Sequence, residues 1–150
     1  MLYLLARTLK ALSSEGNPAQ IAGAVALGAI AGLTPLWAAH NLLVFLLALL
    51  LRINLTAFLL AWGLFTGVAF LLDPWFHAVG LALLTNDGLR GIWTALYNTA
   101  AGRLSGFYNT VTLGSFLISL AVAALLFPAT VALVRRYRAH VLAWIRRSRL

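Results

Sequence analysis

The sequence predicts an all-α integral membrane protein, because it is strongly hydrophobic, carries little charge and contains long uncharged runs. Of its 150 residues, 63% are hydrophobic and only 9% are charged, whereas a soluble domain usually carries about 25% charged residues. No Asp, Glu, Lys or Arg occurs at positions 16–51, 53–72 or 104–134. Each run approaches or exceeds the roughly 20 apolar residues that a helix needs to cross a bilayer.

The distribution of charge indicates which partners to expect. Eleven basic and three acidic residues give a net charge of +8. The arginines cluster near the chain ends beside apolar segments, which is typical of contact with anionic membrane lipids and not of nucleic acid. The sequence contains no cysteine, so disulfides, thiolate metal sites and cysteine nucleophiles are excluded from it.

Residues 1–14 predict an amphipathic helix in the membrane interface. Leucines recur on one helical face, and Arg7 and Lys10 lie on the opposite face. This pattern is typical of a helix that lies in the plane of the interface. A solvated helix packed on a partner is the alternative.

Residues 19–51 predict a helical hairpin. Asn17 and Pro18 have the residue types that begin a helix. The following apolar stretch is divided by Thr34 and Pro35 into two runs of about 15 residues, each roughly 23 Å long as a helix. Because the hydrocarbon core is about 30 Å thick, the hairpin either spans the membrane fully or is re-entrant.

Two further membrane-crossing helices are predicted, at residues 55–72 and 108–134. Asn54 is expected to cap the first. Asp73 and Pro74 are expected to end it and to open a separate short helix. A proline at position 128 is expected to kink the last span, because proline removes a backbone hydrogen bond.

Between and after these spans, the sequence predicts two peripheral segments. Residues 74–107 are expected to form an outer-face segment, with a short helix at 75–84, a turn, and an amphipathic interfacial helix at 89–100. Residues 135–150 are expected to form a basic amphipathic tail. Basic residues favour the cytoplasmic side, which predicts a multi-pass protein of the bacterial inner membrane, a single membrane domain with both termini in the cytoplasm.

Small residues spaced four apart predict close helix packing. Gly28 and Gly32 form one such ladder with Ala24, and Gly63 and Gly67 form a second. Small residues at this spacing let helix backbones approach closely in lipid. Packing within the chain is the first interpretation, and an interface with a partner helix, including a homo-oligomer, is the alternative.

Two polar residues, His40 and Asn41, lie inside the predicted hairpin one turn after its break. They are expected either to satisfy backbone groups freed at the break or to act on a substrate or proton. Asp73 and His77 could pair, or serve as a cap and an interfacial histidine. No pattern indicates a catalytic, cofactor or metal site, so we expect a protein that is not an enzyme.

The outer-face segment carries the candidate contact residues. The candidates for lipid or partner contact are Arg90, Trp93, Tyr97 and Arg103. Aromatic side chains favour the headgroup zone, and arginines bind phosphate through charge-assisted hydrogen bonds. The alternative is that all four are ordinary interfacial anchors.

The order of several short motifs resembles a bacterial membrane family known as domain of unknown function twenty-sixty-two, over residues from about 16 to 134. The matching motifs are Gly16-Asn17-Pro18, Ile21-Ala22, Gly28, Gly32-Leu33-Thr34-Pro35, Asn41, Leu51-Arg52-Ile53-Asn54-Leu55, Leu71-Leu72-Asp73-Pro74-Trp75-Phe76-His77, Gly80-Leu81-Ala82, Trp93-Thr94-Ala95-Leu96-Tyr97-Asn98, Asn109-Thr110-Val111 and Gly114-Ser115. The resemblance is to a branch of this family found in bacteria with outer membranes and commonly encoded beside one larger protein. It implies a two-protein envelope system.

From this resemblance we expect an inner-membrane subunit that assists phospholipid transport towards the outer membrane. It would anchor or feed a larger, membrane-anchored periplasmic partner. The alternatives are a stand-alone transporter of lipids or small molecules and a purely structural membrane scaffold.

Overall fold

The computed structural model describes residues 16–147, in which every regular element is helical. The elements are α1 (Pro18–Leu33), α2 (Ala39–Leu50), α3 (Leu55–Leu84), a 3-10 turn (Asp87–Leu89), α4 (Arg90–Tyr97), α5 (Ala100–Ser105) and α6 (Thr110–Arg147). The all-α prediction is therefore confirmed for this range. The helix predicted at 1–14 lies outside the described residues.

Two of these helices, α3 and α6, are long and apolar enough to cross a membrane by length and composition. With 30 and 38 residues, they extend about 45 and 57 Å at 1.5 Å per residue. Only 11% of the most apolar stretch of each is buried inside the protein. The apolar side chains of both helices therefore face mostly outwards.

The core is made by α1, which packs along both α3 and α6, while α3 and α6 also pack on each other. Half of α1 is buried, chiefly alanine and glycine. Small side chains are needed in α1 because α3 packs on one side of it and α6 on another. By contrast, α2 buries only Asn41, Val44 and Ala48.

The helix starts at Asn17 and Asn54 form as predicted. The Asn17 side chain accepts a hydrogen bond from the Ala19 N–H at 3.0 Å, and the Gln20 side chain accepts one from the Asn17 N–H at 3.2 Å. The Asn54 side chain accepts from the Ala57 N–H at 2.9 Å. These side chains satisfy N–H groups that have no partner within the helix.

The predicted break at Asp73 and Pro74 is wrong, because α3 continues through both residues to Leu84. Asp73 is exposed within the helix and is not a cap. Proline removes one backbone bond, but Phe76 and Gly80, on the next two turns, are buried. Packing against α6 holds the helix together beyond the proline, so no separate helix forms at 75–84.

The predicted last span and the described part of the basic tail form one continuous helix. Helix α6 contains Pro128 and continues to Arg147, so the described part of the tail belongs to the same helix as the span. Pro128 and Ala124 are both exposed. The Ala124 carbonyl, which proline leaves without its helical partner, therefore belongs to an exposed residue.

The amphipathic helix predicted at 89–100 is divided into α4 and α5. The division lies at Thr99, whose hydroxyl accepts a hydrogen bond from the Gly102 N–H at 2.9 Å and so caps α5. Gly102 packs directly against the Leu96 carbonyl group, where no side chain would fit. Gly106 then ends α5 with a φ of 70°, a conformation that glycine adopts readily.

Helices α1 and α3 run parallel, and α6 runs antiparallel to both. The Gly32 end of α1 meets Phe65 of α3, and the first turns of the two helices meet where the Asn54 N–H donates to the Gln20 carbonyl at 3.4 Å. At that same end, the Arg138 guanidinium donates to the Gly16 carbonyl at 2.6 Å. We call this the basic end. At the opposite end, residues 85–109 connect α3 to α6, and we call them the platform.

Candidate functional site

Trp93 fixes helix α4 of the platform to the ends of the two long helices. Its indole N–H donates to the Leu83 carbonyl at 2.9 Å, near the end of α3. Its ring stacks on that of Phe107, with centroids 5.7 Å apart and planes 23° apart. The polar atom of Trp93 is therefore used inside the chain.

Two tyrosines of the platform form an open aromatic corner. The rings of Tyr97 and Tyr108 are 5.9 Å apart between centroids and 78° apart in plane. Tyr97 is 51% and Tyr108 57% exposed. Phe107 contacts the Tyr108 ring at 6.0 Å, so four aromatic rings form one continuous row from Trp93 to Tyr97.

Two further residues of this row, Phe107 and Tyr108, were not predicted as site residues from the sequence. They follow α5, on the far side of the turn at Gly106, and no helical periodicity links them to Tyr97. The available signal was the pair of adjacent aromatic residues directly after a glycine. Only the folded platform brings them to α4.

The two predicted contact arginines differ in their surroundings. The Arg103 guanidinium donates to the carbonyl of Tyr97, the last residue of α4, at 3.2 Å. Arg90 is exposed, and its guanidinium makes no hydrogen bond or ion pair with any of residues 16–147. Arg103 therefore holds the corner between α4 and α5, whereas Arg90 is available to an external group.

The platform also exposes apolar side chains beside these polar ones. Ile92 and Leu96 of α4 and Leu104 of α5 are all exposed. A polar side and an apolar side on so short a helix are typical of a segment at a membrane interface.

At the hairpin turn, Asn41 is tied into the backbone. Its side-chain oxygen accepts from the Thr34 hydroxyl at 3.0 Å, and its amide donates to the Pro35 carbonyl at 2.9 Å. Asn41 is only 1% exposed. These bonds satisfy the buried Asn41 amide and join the start of α2 to the break, where polar groups need partners inside the protein.

His40, its neighbour, differs from Asn41 in having no such partner. Its ring lies 4.7 Å from that of Phe116, between centroids. Its Nε2 atom is buried and has no hydrogen-bond partner. His40 and Asn41, which were predicted to act alike, therefore differ in their hydrogen bonding.

The two glycine ladders also differ. A Cβ atom on Gly28 would lie 2.7 Å from the Ala61 Cβ, and one on Gly32 would lie 2.7 Å from the Phe65 Cβ, so this ladder seats α1 against α3. Cβ atoms on Gly63 and Gly67 would meet nothing within 4 Å. The expected packing of Gly63 and Gly67 inside the chain is thus wrong within residues 16–147, because their face of α3 points outwards.

The ends of α3 and α6 nearest the platform meet through a polar contact. His77 Nδ1 lies 2.7 Å from the Thr110 hydroxyl oxygen, so His77 is paired across the helices and not with Asp73. Within residues 16–147, no three His, Cys, Asp or Glu residues lie close enough together to hold a metal ion.

Comparison with known proteins gives one match. The family model described as "Uncharacterized protein conserved in bacteria (DUF2062)" matches residues 3–142. No curated protein and no solved structure matches the chain.

Proposed function

The chain belongs to the bacterial family DUF2062, and on that premise we propose that it is a multi-pass inner-membrane protein with both termini in the cytoplasm. The proposal rests on the exposed apolar surface of α3 and α6. Leu60 is 71% and Leu71 78% exposed, and they belong to a larger exposed set along both helices. Soluble monomers rarely expose a continuous apolar surface larger than a few hundred Å².

The positions of the charged residues support this placement. Helix α3 carries no charge from Leu55, where it begins, to Leu72, which is about 27 Å of helix and close to the roughly 30 Å thickness of the hydrocarbon core. Arg135, Arg136 and Arg138 follow the uncharged part of α6 at the basic end. By the positive-inside rule, the basic end is cytoplasmic and the platform is periplasmic.

We further propose that the protein is the membrane subunit of a two-protein envelope complex that assists phospholipid transport towards the outer membrane. The platform would contact a larger periplasmic partner and lipid headgroups. In support, α1 and α2 have 16 and 12 residues, or about 24 and 18 Å. Helices shorter than the hydrocarbon core thin the bilayer around them, which would ease the exit of a lipid.

Purification of the tagged protein from its native membrane in polymer discs tests this proposal. We expect a periplasmic protein and phospholipid to co-purify in near-stoichiometric amounts. Serine substitutions at Ile92 and Leu104 should reduce capture of that partner, whereas Tyr137→Ser at the basic end is the matched control. A preparation in which no periplasmic protein co-purifies would contradict the two-protein complex.

One observation favours the second candidate, a stand-alone transporter. The unpartnered Nε2 of His40 lies in a helix that is apolar apart from its first turn, and buried polar atoms without partners often mark functional sites. A lone homo-oligomer that moves lipid or a small solute in vesicles, and loses that activity in a His40→Leu variant, would favour this function. A structural scaffold would show neither partner nor transport.

A further inference from the structure

We propose that Tyr97, Tyr108 and Arg103 form a binding site for a headgroup that carries both an ammonium and a phosphate, such as phosphoethanolamine. The inference rests on the proposed function, because it names the lipid class that the platform recognises. Three features of the platform carry it: the open aromatic corner, the position of Arg103, and the lack of acidic residues from Gly88 to the end of the platform.

The aromatic corner provides the ammonium site. A cation above the face of an aromatic ring, within about 6 Å of its centroid, is attracted by the ring's electrons. The centroids of Tyr97 and Tyr108 are 5.9 Å apart, so one ammonium group can be near both. Both rings are about half exposed, which leaves them accessible from outside the protein.

A row of contacts inside the protein holds the aromatic corner in place. Tyr108 contacts Phe107, and Phe107 stacks on Trp93, whose indole is bonded to the Leu83 carbonyl at 2.9 Å. Because the rings are already in place, a ligand does not need to order them on binding, and preorganisation of this kind favours affinity.

Arg103 provides the phosphate site at the same position. One of its nitrogens donates to the Tyr97 carbonyl at 3.2 Å, so its guanidinium lies beside the residue whose ring forms one wall of the corner. A guanidinium has five N–H donors, and those not used by this bond can bind phosphate oxygens. The ammonium and phosphate sites are thus adjacent, as they are in the headgroup.

A carboxylate is the commoner group for binding an ammonium, and Asp87, at the start of the platform, is its one acidic residue. No Asp or Glu occurs after it, so the part of the platform that contains the corner, residues 88–109, has no carboxylate side chain. The ring faces are therefore the cation-attracting groups of this part of the platform. Leu96 and Leu104 are exposed near by and could contact acyl chains, which favours a lipid over the free headgroup.

Native mass spectrometry of the full-length protein, released from discs of equal phosphatidylethanolamine and phosphatidylglycerol, tests the site. We expect selective retention of phosphatidylethanolamine, because phosphatidylglycerol has no ammonium group. Replacing both tyrosines with leucine should reduce this selectivity roughly 5- to 30-fold, the effect of losing two exposed cation–π contacts. Replacing both with phenylalanine should preserve it, since the ring faces remain.

Tyr137→Leu is the matched control, because Tyr137 is an exposed tyrosine at the basic end. Competition with soluble glycerophosphoethanolamine distinguishes a lipid ligand from the free headgroup. If the soluble compound fails to displace the lipid, the ligand is a lipid. Complete displacement would contradict a lipid ligand. Equal retention of both lipids by the parent protein would contradict the proposed headgroup site. Unchanged selectivity in the double leucine variant would also contradict it. The proposed function fails separately, if the parent protein retains phosphatidylethanolamine selectively but no periplasmic protein co-purifies with it.

Discussion

Gly114 of α6 lies directly against the backbone carbonyl of Phe76 in α3, at the end of the helix pair nearest the platform. The contact is reciprocal one turn away, where Gly80 of α3 lies against the Thr110 carbonyl. At neither glycine is there room for a Cβ atom. This crossing holds α3 together beyond Pro74 and fixes the base of the platform.

Alanine at Gly80 should therefore destabilise the protein. The added methyl group meets backbone atoms, which cannot rotate away as a flexible side chain would, and overpacking of this kind costs about 1–3 kcal/mol. The measurement is the midpoint of thermal unfolding in detergent. Gly91→Ala is the control, because a Cβ there meets nothing within 4 Å and alanine favours a helix over glycine by about 1 kcal/mol. Equal midpoints for the two variants would contradict the close crossing.

Leucine should have different effects at the two glycine ladders. Gly28→Leu forces α1 away from Ala61 and should cost roughly 1–3 kcal/mol, with lower expression and lower thermal stability in detergent. Gly63→Leu should leave the stability of the monomer unchanged, because its face of α3 is open. A Gly28→Leu variant as stable as the parent would show that this contact does not hold the helices together.

Helix starts could be predicted from the sequence because capping is local. Asn17 and Asn54 each satisfy N–H groups within three residues, so the sequence around them contains the whole interaction. The continuation of α3 through Pro74 could not be predicted in this way. Whether a proline ends a helix depends on what packs beyond it, and here that is a crossing with residues roughly thirty to forty positions away along the chain.

The candidate site, too, could be predicted from the sequence only in part. Arg90, Trp93, Tyr97 and Arg103 could be chosen from residue type and helical spacing, because they belong to one short stretch of sequence. Tyr108 could not, since its contact with Tyr97 depends on the turn at Gly106. The different roles of Arg90 and Arg103 could not be predicted from the sequence either, because only the fold brings the Tyr97 carbonyl to Arg103.

Asn41 should be necessary for the stability of the hairpin. Asn41→Leu removes the bond to the Pro35 carbonyl and the bond from the Thr34 hydroxyl. Each hydrogen bond contributes about 0.5–1.5 kcal/mol to stability, so the unfolding midpoint in detergent should fall. Asn98→Leu is the control, because that side chain is exposed and makes no hydrogen bond to another described residue. A similar midpoint for both variants would argue against the structural role of Asn41.

Both termini should be cytoplasmic. Helices α3 and α6 run in opposite directions, and arginines accumulate at the basic end, which the positive-inside rule assigns to the cytoplasm. Fusions to a reporter that is active only in the periplasm should be inactive at either terminus and active when inserted in the platform after Asn98. Strong periplasmic activity from the C-terminal fusion would overturn this topology.

The last prediction separates the two arginines of the platform. Arg103→Ala should loosen the corner between α4 and α5, because it removes the bond to the Tyr97 carbonyl, and a small loss of thermal stability should accompany any loss of function. Arg90→Ala removes no bond to another described residue, so the protein should insert and unfold as the parent does. If Arg90 contacts a headgroup or the partner, this variant should nevertheless show weaker partner capture and a more permeable outer membrane.

These outcomes are read from co-purification and outer-membrane permeability, in cells where each variant is present at the level of the parent protein. Arg90→Lys is the informative comparison, because it keeps the charge but loses the planar set of donors that binds phosphate at two points. Partial rescue by lysine indicates attraction by charge alone, whereas no rescue indicates the bidentate geometry of a phosphate contact. Full envelope function in Arg90→Ala, together with full function in the Arg90→Ala/Arg103→Ala double variant, would show that both arginines are interfacial anchors and would remove the functional role of this part of the platform.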